Sequence, residues 1–160
     1  MRKKSHVSLS RYLLDHIDSE LLENHRKAFI VGSVLPDCKP SFVTTKHNME
    51  ETFDMVCEFI RKLTVNSDDY KKISTAYCRK LGEVTHYLAD YFTFPHNANY
   101  PGNIKDHCIY EEELKKELRA YVHSPEAVRR REKMEMHTPA DILAMIRQMH
   151  NRYLQMESVV

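Results

Sequence analysis

Apolar residues recur three or four residues apart along most of the chain, whereas alternating runs rich in β-branched residues, which predict strands, are nearly absent. The first stripe comprises Leu9, Tyr12, Leu13, Ile17 and Leu21. Three later stripes are Phe53, Val56, Ile60 and Leu63; Ile73, Tyr77, Leu81, Val84, Leu88 and Tyr91; and Ile142, Met145, Ile146, Met149 and Tyr153. Each stripe is typical of an amphipathic helix that buries one face. The sequence therefore predicts an all-α fold.

Capping residues and prolines mark the ends of the predicted helices. Asn48 and Ser67 each precede an apolar stripe, as N-cap residues do. Thr138-Pro139 combines a capping hydroxyl with a proline suited to the first helical turn. Pro95 ends the longest helix because proline lacks the N–H that a helix needs. No internal repeat, linker or low-complexity segment divides the chain, so residues 1–160 are predicted to form one domain, a bundle of about seven helices.

The balance of charge argues against a nucleic-acid-binding protein. The chain has 24 basic and 23 acidic residues, a formal net charge of +1, so no stable nucleic-acid partner is expected. The basic runs Met1–Lys4 and Arg129–Arg131 are interpreted as solvated charge, with peripheral contact with an anionic membrane surface as the alternative. The absence of a signal peptide and of a long apolar run predicts a cytoplasmic protein.

The four cysteines are predicted to be reduced and mostly buried. They are Cys38, Cys57, Cys78 and Cys108, and none forms a C-x-x-C pair. Widely separated cysteines in a cytosolic protein usually behave as small apolar side chains. A disulfide framework is therefore not expected.

Histidine is the residue type that most strongly suggests chemistry, because it is the commonest metal ligand in proteins. The chain has 10 histidines, and five of them are followed by an acidic residue four positions later. These pairs are His16/Glu20, His47/Glu51, His86/Asp90, His107/Glu111 and His137/Asp141. With acids at 23 of 160 positions, chance alone would give about 1.4 such pairs. A pair at this spacing shares one helix face and can bind one metal ion, although any single pair can also be a solvated contact.

Two of these histidines lie in a context that favours a metal site. His86 is in the segment LGEVTHYLADYFTFPHN, beside the predicted buried stripe, where an unpartnered imidazole would be unfavourable. His96 follows Pro95 at a rigid corner, and Asp37 and His47 lie in loops of the segment GSVLPDCKPSFVTTKH. Imidazole and carboxylate ligands without thiolates are typical of catalytic zinc. His16, His123, His137 and His150 are predicted to be surface or capping residues.

The order of these segments resembles a known family. GSVLPD, a loop histidine, THYLADYFTFPH and HCIYE follow one another as in the zinc-dependent phospholipase C family of bacteria, and more distantly in fungal single-strand nucleases. The resemblance runs from His6 to about Glu111 and includes the pattern H-x3-D-x5-H-x10-H-x3-E. It implies a helical bundle built around a cluster of two or three zinc ions.

The resemblance also implies a role for each ligand. Asp37, His47, His86 and Asp90 would surround one zinc ion, and Asp37 would also be the catalytic general base toward water. In the family, zinc-activated water attacks phosphorus and releases diacylglycerol and a phosphorylated headgroup.

The remaining ligands would complete a second and a third site. His96, His107 and Glu111 would hold the second zinc ion, and His6 would bind a third that Asp90 bridges to the first. Secreted members complete the third site with the amino group and carbonyl of an N-terminal tryptophan. This chain has no tryptophan and five residues before His6.

These observations predict a zinc-dependent hydrolase of phosphate esters that acts on a phospholipid or another small phosphodiester. Two alternatives stay open: a helical module in which zinc only stabilises the fold, and a phosphodiesterase that acts on nucleotides. A His-Asp phosphohydrolase is set aside because the chain contains no contiguous His-Asp dipeptide.

Overall fold

The computed structural model describes residues 1–40, 45–65, 74–129 and 136–157 of the chain. These residues form eight α-helices and two short 3-10 helices, with no strand among them. The α-helices are α1 (Lys3–His16), α2 (Glu20–Asn24), α3 (Arg26–Val34), α4 (Met49–Val65), α5 (Ser74–Tyr91), α6 (Ile104–Val122), α7 (Pro125–Arg129) and α8 (Pro139–Glu157). The 3-10 helices span Pro36–Cys38 and Phe94–His96. The all-α prediction is confirmed, and none of the described helices is long and apolar enough to cross a bilayer.

The first predicted helix is two helices in the structure. α1 ends at His16, and α2 begins after Ser19, whose hydroxyl oxygen accepts a hydrogen bond from the backbone N–H of Leu22 at 3.4 Å. Ile17 lies at this break and is 46% exposed, so its predicted place on the buried stripe is wrong. A local cap therefore ended a helix that apolar spacing alone would have continued.

The other predicted helix ends agree with the structure where the structure describes them. The side-chain oxygen of Asn48 accepts a hydrogen bond from the N–H of Glu51 at 2.9 Å and so caps α4. α5 ends at Tyr91, before Pro95. The beginning predicted for this helix at Ser67 lies outside the described residues.

Two apolar clusters pack the bundle, and α5 contributes to both. The larger lies between α4, α5 and α8 and contains Phe53, Val56, Cys57, Ile60, Leu63, Val84, Tyr87, Tyr91, Leu143 and Ile146. The smaller joins α1, α2, α3 and α5 through Leu14, Leu22, Phe29 and Cys78. Met149, predicted to be buried, is 47% exposed. α5 is therefore the central helix, and residues on it are held from several sides.

Two of the four cysteines are buried, fewer than predicted. Cys57 and Cys78 belong to the apolar clusters, whereas Cys38 and Cys108 are exposed. All four are free thiols, as expected.

α3 and α5 cross at two glycines, which bring their backbones unusually close. A Cβ atom at Gly32 would lie 2.0 Å from the carbonyl oxygen of Arg79, and one at Gly82 would lie 2.2 Å from that of Phe29. Both distances are far shorter than van der Waals contact, so a larger residue at either position would push the helices apart. The crossing also places the backbone of Ser33 against α5, where it contacts His86.

Candidate metal centre

Five of the predicted ligands converge from four segments of the chain. His6 lies on α1, Asp37 on the 3-10 helix after α3, His47 just before α4, and His86 and Asp90 one turn apart on α5. Their side chains are 7% exposed or less. Spacing on α5 and the tight packing of α1 and α3 around it thus bring together residues that are far apart in sequence.

Asp90 is the centre of this group. Its Oδ1 atom lies 3.2 Å from His6 Nε2, and its Oδ2 atom lies 3.2 Å from His47 Nδ1 and 3.3 Å from His86 Nε2. Asp37 approaches the same histidines, with Oδ1 at 3.5 Å from His86 Nε2 and 3.7 Å from His47 Nδ1. Two carboxylates and three imidazoles therefore face one another in a buried space.

The orientation of His86 is fixed by the backbone of α3. Its Nδ1–H donates a hydrogen bond to the carbonyl oxygen of Ser33 at 2.8 Å, which leaves Nε2 directed at the carboxylates. A backbone carbonyl commonly fixes the tautomer of a metal-binding histidine in this way. The ring of His6 stacks on that of His86 with centroids 3.9 Å apart, which restrains both imidazoles.

A second group lies next to the first. His96 follows α5 on the 3-10 helix Phe94–His96, and His107 and Glu111 are one turn apart on α6. Glu111 Oε1 lies 3.1 Å from His107 Nε2 and 3.5 Å from His96 Nε2. His96 Nδ1 lies 4.0 Å from Asp90 Oδ2, so the two groups adjoin.

A positively charged group lies between the two sets of side chains. The amino group of Met1 is 2.6 Å from Asp90 Oδ1, 2.9 Å from His96 Nε2 and 3.2 Å from Glu111 Oε1. Nitrogen and oxygen lone pairs from three segments thus converge on one cation. The position is chemically suited to hold positive charge.

The protonation states favour metal binding. Burial lowers the pKa of His6, which keeps its imidazole neutral, the form that binds metal. Burial opposes ionisation of Asp90, but contacts with His47, His6 and His86 hold the pKa of that carboxyl well below its ordinary value. In the second group, burial is likewise outweighed by contacts with His96 and the Met1 amine, and the pKa of Glu111 falls to about 2.

The donor set fits zinc. Within the described residues, three groups each offer donor atoms that lie within 4.8 Å of one another: His6, Asp37 and His86; His47, His86 and Asp90; and His96, His107 and Glu111. Imidazole nitrogens with carboxylate oxygens suit zinc rather than magnesium or calcium, which prefer oxygen alone. His6 Nε2 is a buried atom whose polar neighbour is Asp90 Oδ1 at 3.2 Å, a direction suited to a metal ion shared by the two side chains. The structure thus brings all eight predicted ligands together, and their role as ligands stays a prediction.

A cleft of about 850 Å³ opens onto these groups. Five candidate ligands line it, whereas three are buried and do not line it: Asp37, His47, His96, His107 and Glu111 line the cleft, and His6, His86 and Asp90 do not. We call this cavity the metal cleft. A ligand that enters it can reach both groups.

His150 supports the turn that carries His96, a role that the sequence pattern did not predict. His150 on α8, predicted to lie at the surface, is 3% exposed, and its Nε2–H donates to Asn97 Oδ1 at 2.8 Å. The Nδ2 group of Asn97 donates to the carbonyl oxygens of Tyr91 and Thr93 at 3.2 and 3.1 Å. This buried network fixes the turn that carries His96. The one available signal was that His150 follows Ile146 by four residues, on the same helix face.

The chain matches the sequence model of a protein family described as zinc dependent phospholipase C, over residues 5–158. The match covers nearly the whole chain and extends well beyond Glu111, where the pattern of candidate ligands ends. No curated protein and no solved structure matches the chain.

Proposed function

Because the chain belongs to the zinc-dependent phospholipase C family, we propose that it hydrolyses phosphate esters and cleaves the glycerol–phosphate bond of a phospholipid with zinc-activated water. The observation that carries the proposal is the clustering of eight imidazole and carboxylate side chains, five of which line one cleft. A buried cluster of this composition, open to a cavity of substrate size, suits metal-assisted hydrolysis.

The ligands divide between two or three ions. Asp37, His47, His86 and Asp90 would hold the first, and the distances of 3.2–3.7 Å from the His47 and His86 nitrogens to both carboxylates support this grouping. His6, stacked on His86 and facing Asp90 Oδ1, would bind a third ion that Asp90 shares with the first.

The second ion would lie on α6. His107 and Glu111, one turn apart on that helix, would hold it together with His96. Bound zinc would supply Lewis-acid polarisation of the phosphoryl group and activation of water at neutral pH.

Asp37 and Asp90 are suited to different roles because their surroundings differ. Asp90 is fully buried, and its oxygens face His6, His47, His86 and the Met1 amine, so it does not line the cleft. Asp37 contacts the same cluster but also lines the metal cleft, where a substrate and water can reach it. This access to the cleft supports Asp37 as the general base that accepts a proton from water.

Basic side chains at the rim support an anionic substrate. Lys3, Lys4 and Lys46 line the metal cleft and are exposed. Their charge would attract the phosphate of a phospholipid, and peripheral contact with an anionic membrane would bring that substrate to the cleft.

Replacement of Asp37 by asparagine tests the proposal. We expect Asp37→Asn to lower the turnover of phosphatidylcholine and of a soluble aryl phosphodiester by about 10²–10⁴-fold, the usual contribution of a general base. Bound zinc, measured by elemental analysis at saturating zinc, and the melting temperature should stay close to wild type. Asp54→Asn, the same change at an exposed position on α4, is the matched control and should leave turnover unchanged.

Three results would contradict the proposal or favour one of its alternatives. Full activity in Asp37→Asn would refute its role as base. A zinc-loaded wild-type protein that hydrolyses none of these esters would favour the module in which zinc only stabilises the fold. Turnover of nucleotide diesters in preference to lipid would favour the nucleotide phosphodiesterase.

A further inference from the structure

A second groove, of about 830 Å³, lies between α1 and α6. Its lining shares Lys3, Lys4 and Lys115 with that of the metal cleft, so the two cavities adjoin. We call it the basic groove because six of its lining residues are basic: Lys3, Lys4, Arg11, Lys115, Lys116 and Arg119. Among the described residues that line it, Asp15 is the acidic one.

The positive charge of the groove is only partly neutralised by neighbouring carboxylates. The carboxylate of Asp15 pairs with Arg26, outside the groove, and Lys115 pairs with Glu112. In the part of the chain that the structure describes, the other five cations form no ion pair: Lys3, Lys4, Arg11, Lys116 and Arg119. The whole molecule has a formal net charge of +1, so this groove concentrates positive potential on one face.

We propose that the basic groove binds the phosphate-bearing headgroup of an anionic phospholipid and so attaches the protein to an anionic membrane. Ammonium and guanidinium groups both pair with phosphate oxygens, and guanidinium can do so through two hydrogen bonds. This inference rests on the proposed function. Because the two cavities share part of their lining, a headgroup bound in the basic groove would hold the metal cleft against the membrane that contains its substrate.

The apolar part of the groove favours a lipid over a bare anion. Val7, Val34 and Val122 are partly exposed and line the same cavity as the cations. A glycerol backbone could lie against these side chains while its phosphate meets the lysines and arginines. The near-neutral net charge of the chain argues against a nucleic acid as the occupant.

Vesicle binding tests the proposal. Co-flotation would measure how much of the whole chain binds two kinds of vesicle: phosphatidylcholine alone, and phosphatidylcholine with 20 mol % phosphatidylglycerol. The measurement would be made on the wild type and on Asp37→Asn, with which the lipid should stay intact. We expect the wild type to prefer the anionic vesicles. Lys116→Gln/Arg119→Gln should lower that partition by about 25-fold, at about fivefold for each charge removed near an anionic surface.

The matched control removes two charges elsewhere. Lys62 on α4 and Arg152 on α8 are exposed and outside the groove, so Lys62→Gln/Arg152→Gln should bind anionic vesicles as the wild type does. Turnover of a soluble aryl phosphodiester should be unchanged in both double variants, because none of the four residues lines the metal cleft.

Several outcomes would overturn the proposal. These are equal binding to neutral and anionic vesicles, an equal loss in both double variants, or retention of binding in Lys116→Gln/Arg119→Gln. Tight binding of a single-stranded RNA without any preference for anionic vesicles would assign the groove to nucleic acid instead. A wild type that hydrolyses no ester but binds anionic vesicles through the groove would contradict the proposed function alone, so the two failures are distinguishable.

Discussion

Replacement of Gly82 by alanine tests whether the glycines set the close crossing of α3 and α5 behind the candidate metal centre. A Cβ atom at residue 82 would lie 2.2 Å from Phe29 O and 2.9 Å from Ser33 N, against 3.4 Å or more in ordinary contacts. Both neighbours are backbone atoms and cannot turn aside. The two helices must therefore separate locally by about 1 Å to admit one methyl group.

Effects of opposite sign determine how much Gly82→Ala changes the free energy of unfolding. Helix propensity alone would make Gly82→Ala more stable by about 1 kcal/mol. Overpacking lowers the free energy of unfolding by about 1–3 kcal/mol. Displacement of Ser33 also weakens the buried hydrogen bond from His86, a further loss of about 1 kcal/mol. The net expectation is a loss of about 2 kcal/mol, which lowers the melting temperature of a chain of this length by about 4–8 °C.

Urea unfolding of the metal-free protein and of the zinc-loaded protein measures this loss directly. Gly102→Ala is the control, because a Cβ atom there would meet atoms of the Tyr100 side chain, which can move. Its free energy of unfolding should change by less than about 0.5 kcal/mol. A Gly82→Ala variant as stable as the wild type, or more stable, would refute the argument that the glycines set the crossing.

Two further predictions concern the site. His150→Ala leaves Asn97 Oδ1 buried without its donor, so the free energy of unfolding should fall by about 1–3 kcal/mol. Zinc titration should show weaker binding at the site proposed to include His96, whereas the exposed His123→Ala should change neither quantity. Zinc at 100 times its dissociation constant should stabilise the fold by about 2.7 kcal/mol per site, seen as a rise in melting temperature of about 5–10 °C per site. Magnesium at the same concentration should give almost no rise, and equal melting temperatures with zinc and with chelator would contradict a metal centre.

The helices could be predicted from the sequence because each signal is local. Apolar spacing and the Asn48 cap depend on residues within a turn or two. The same spacing wrongly predicted that Ile17 and Met149 are buried. Apolar spacing does not distinguish a residue at the exposed edge of the stripe from one at its buried centre. His150 was misjudged because its partner Asn97 is 53 residues away, and no spacing rule reports that contact.

Four of the candidate ligands could also be predicted from local spacing, whereas the full set of eight, His6 included, followed from the family resemblance. His86 with Asp90 and His107 with Glu111 lie one turn apart on helices, so their spacing carries the geometry. The supports behind them carry no such signal. Any residue type has a carbonyl, so the hydrogen bond from His86 to Ser33 is invisible in the sequence.

The family match continues to residue 158 although the last candidate ligand is Glu111, so it includes the C-terminal helix α8. α8 carries no candidate ligand, yet His150 reaches Asn97, the residue directly after His96. Leu143 and Ile146 of α8 also complete the apolar cluster between α4, α5 and α8. A polar contact this deeply buried is stable only while the surrounding helices exclude water. The candidate metal centre therefore depends on the whole bundle, because the turn at His96 takes its shape from a helix that carries none of the candidate ligands.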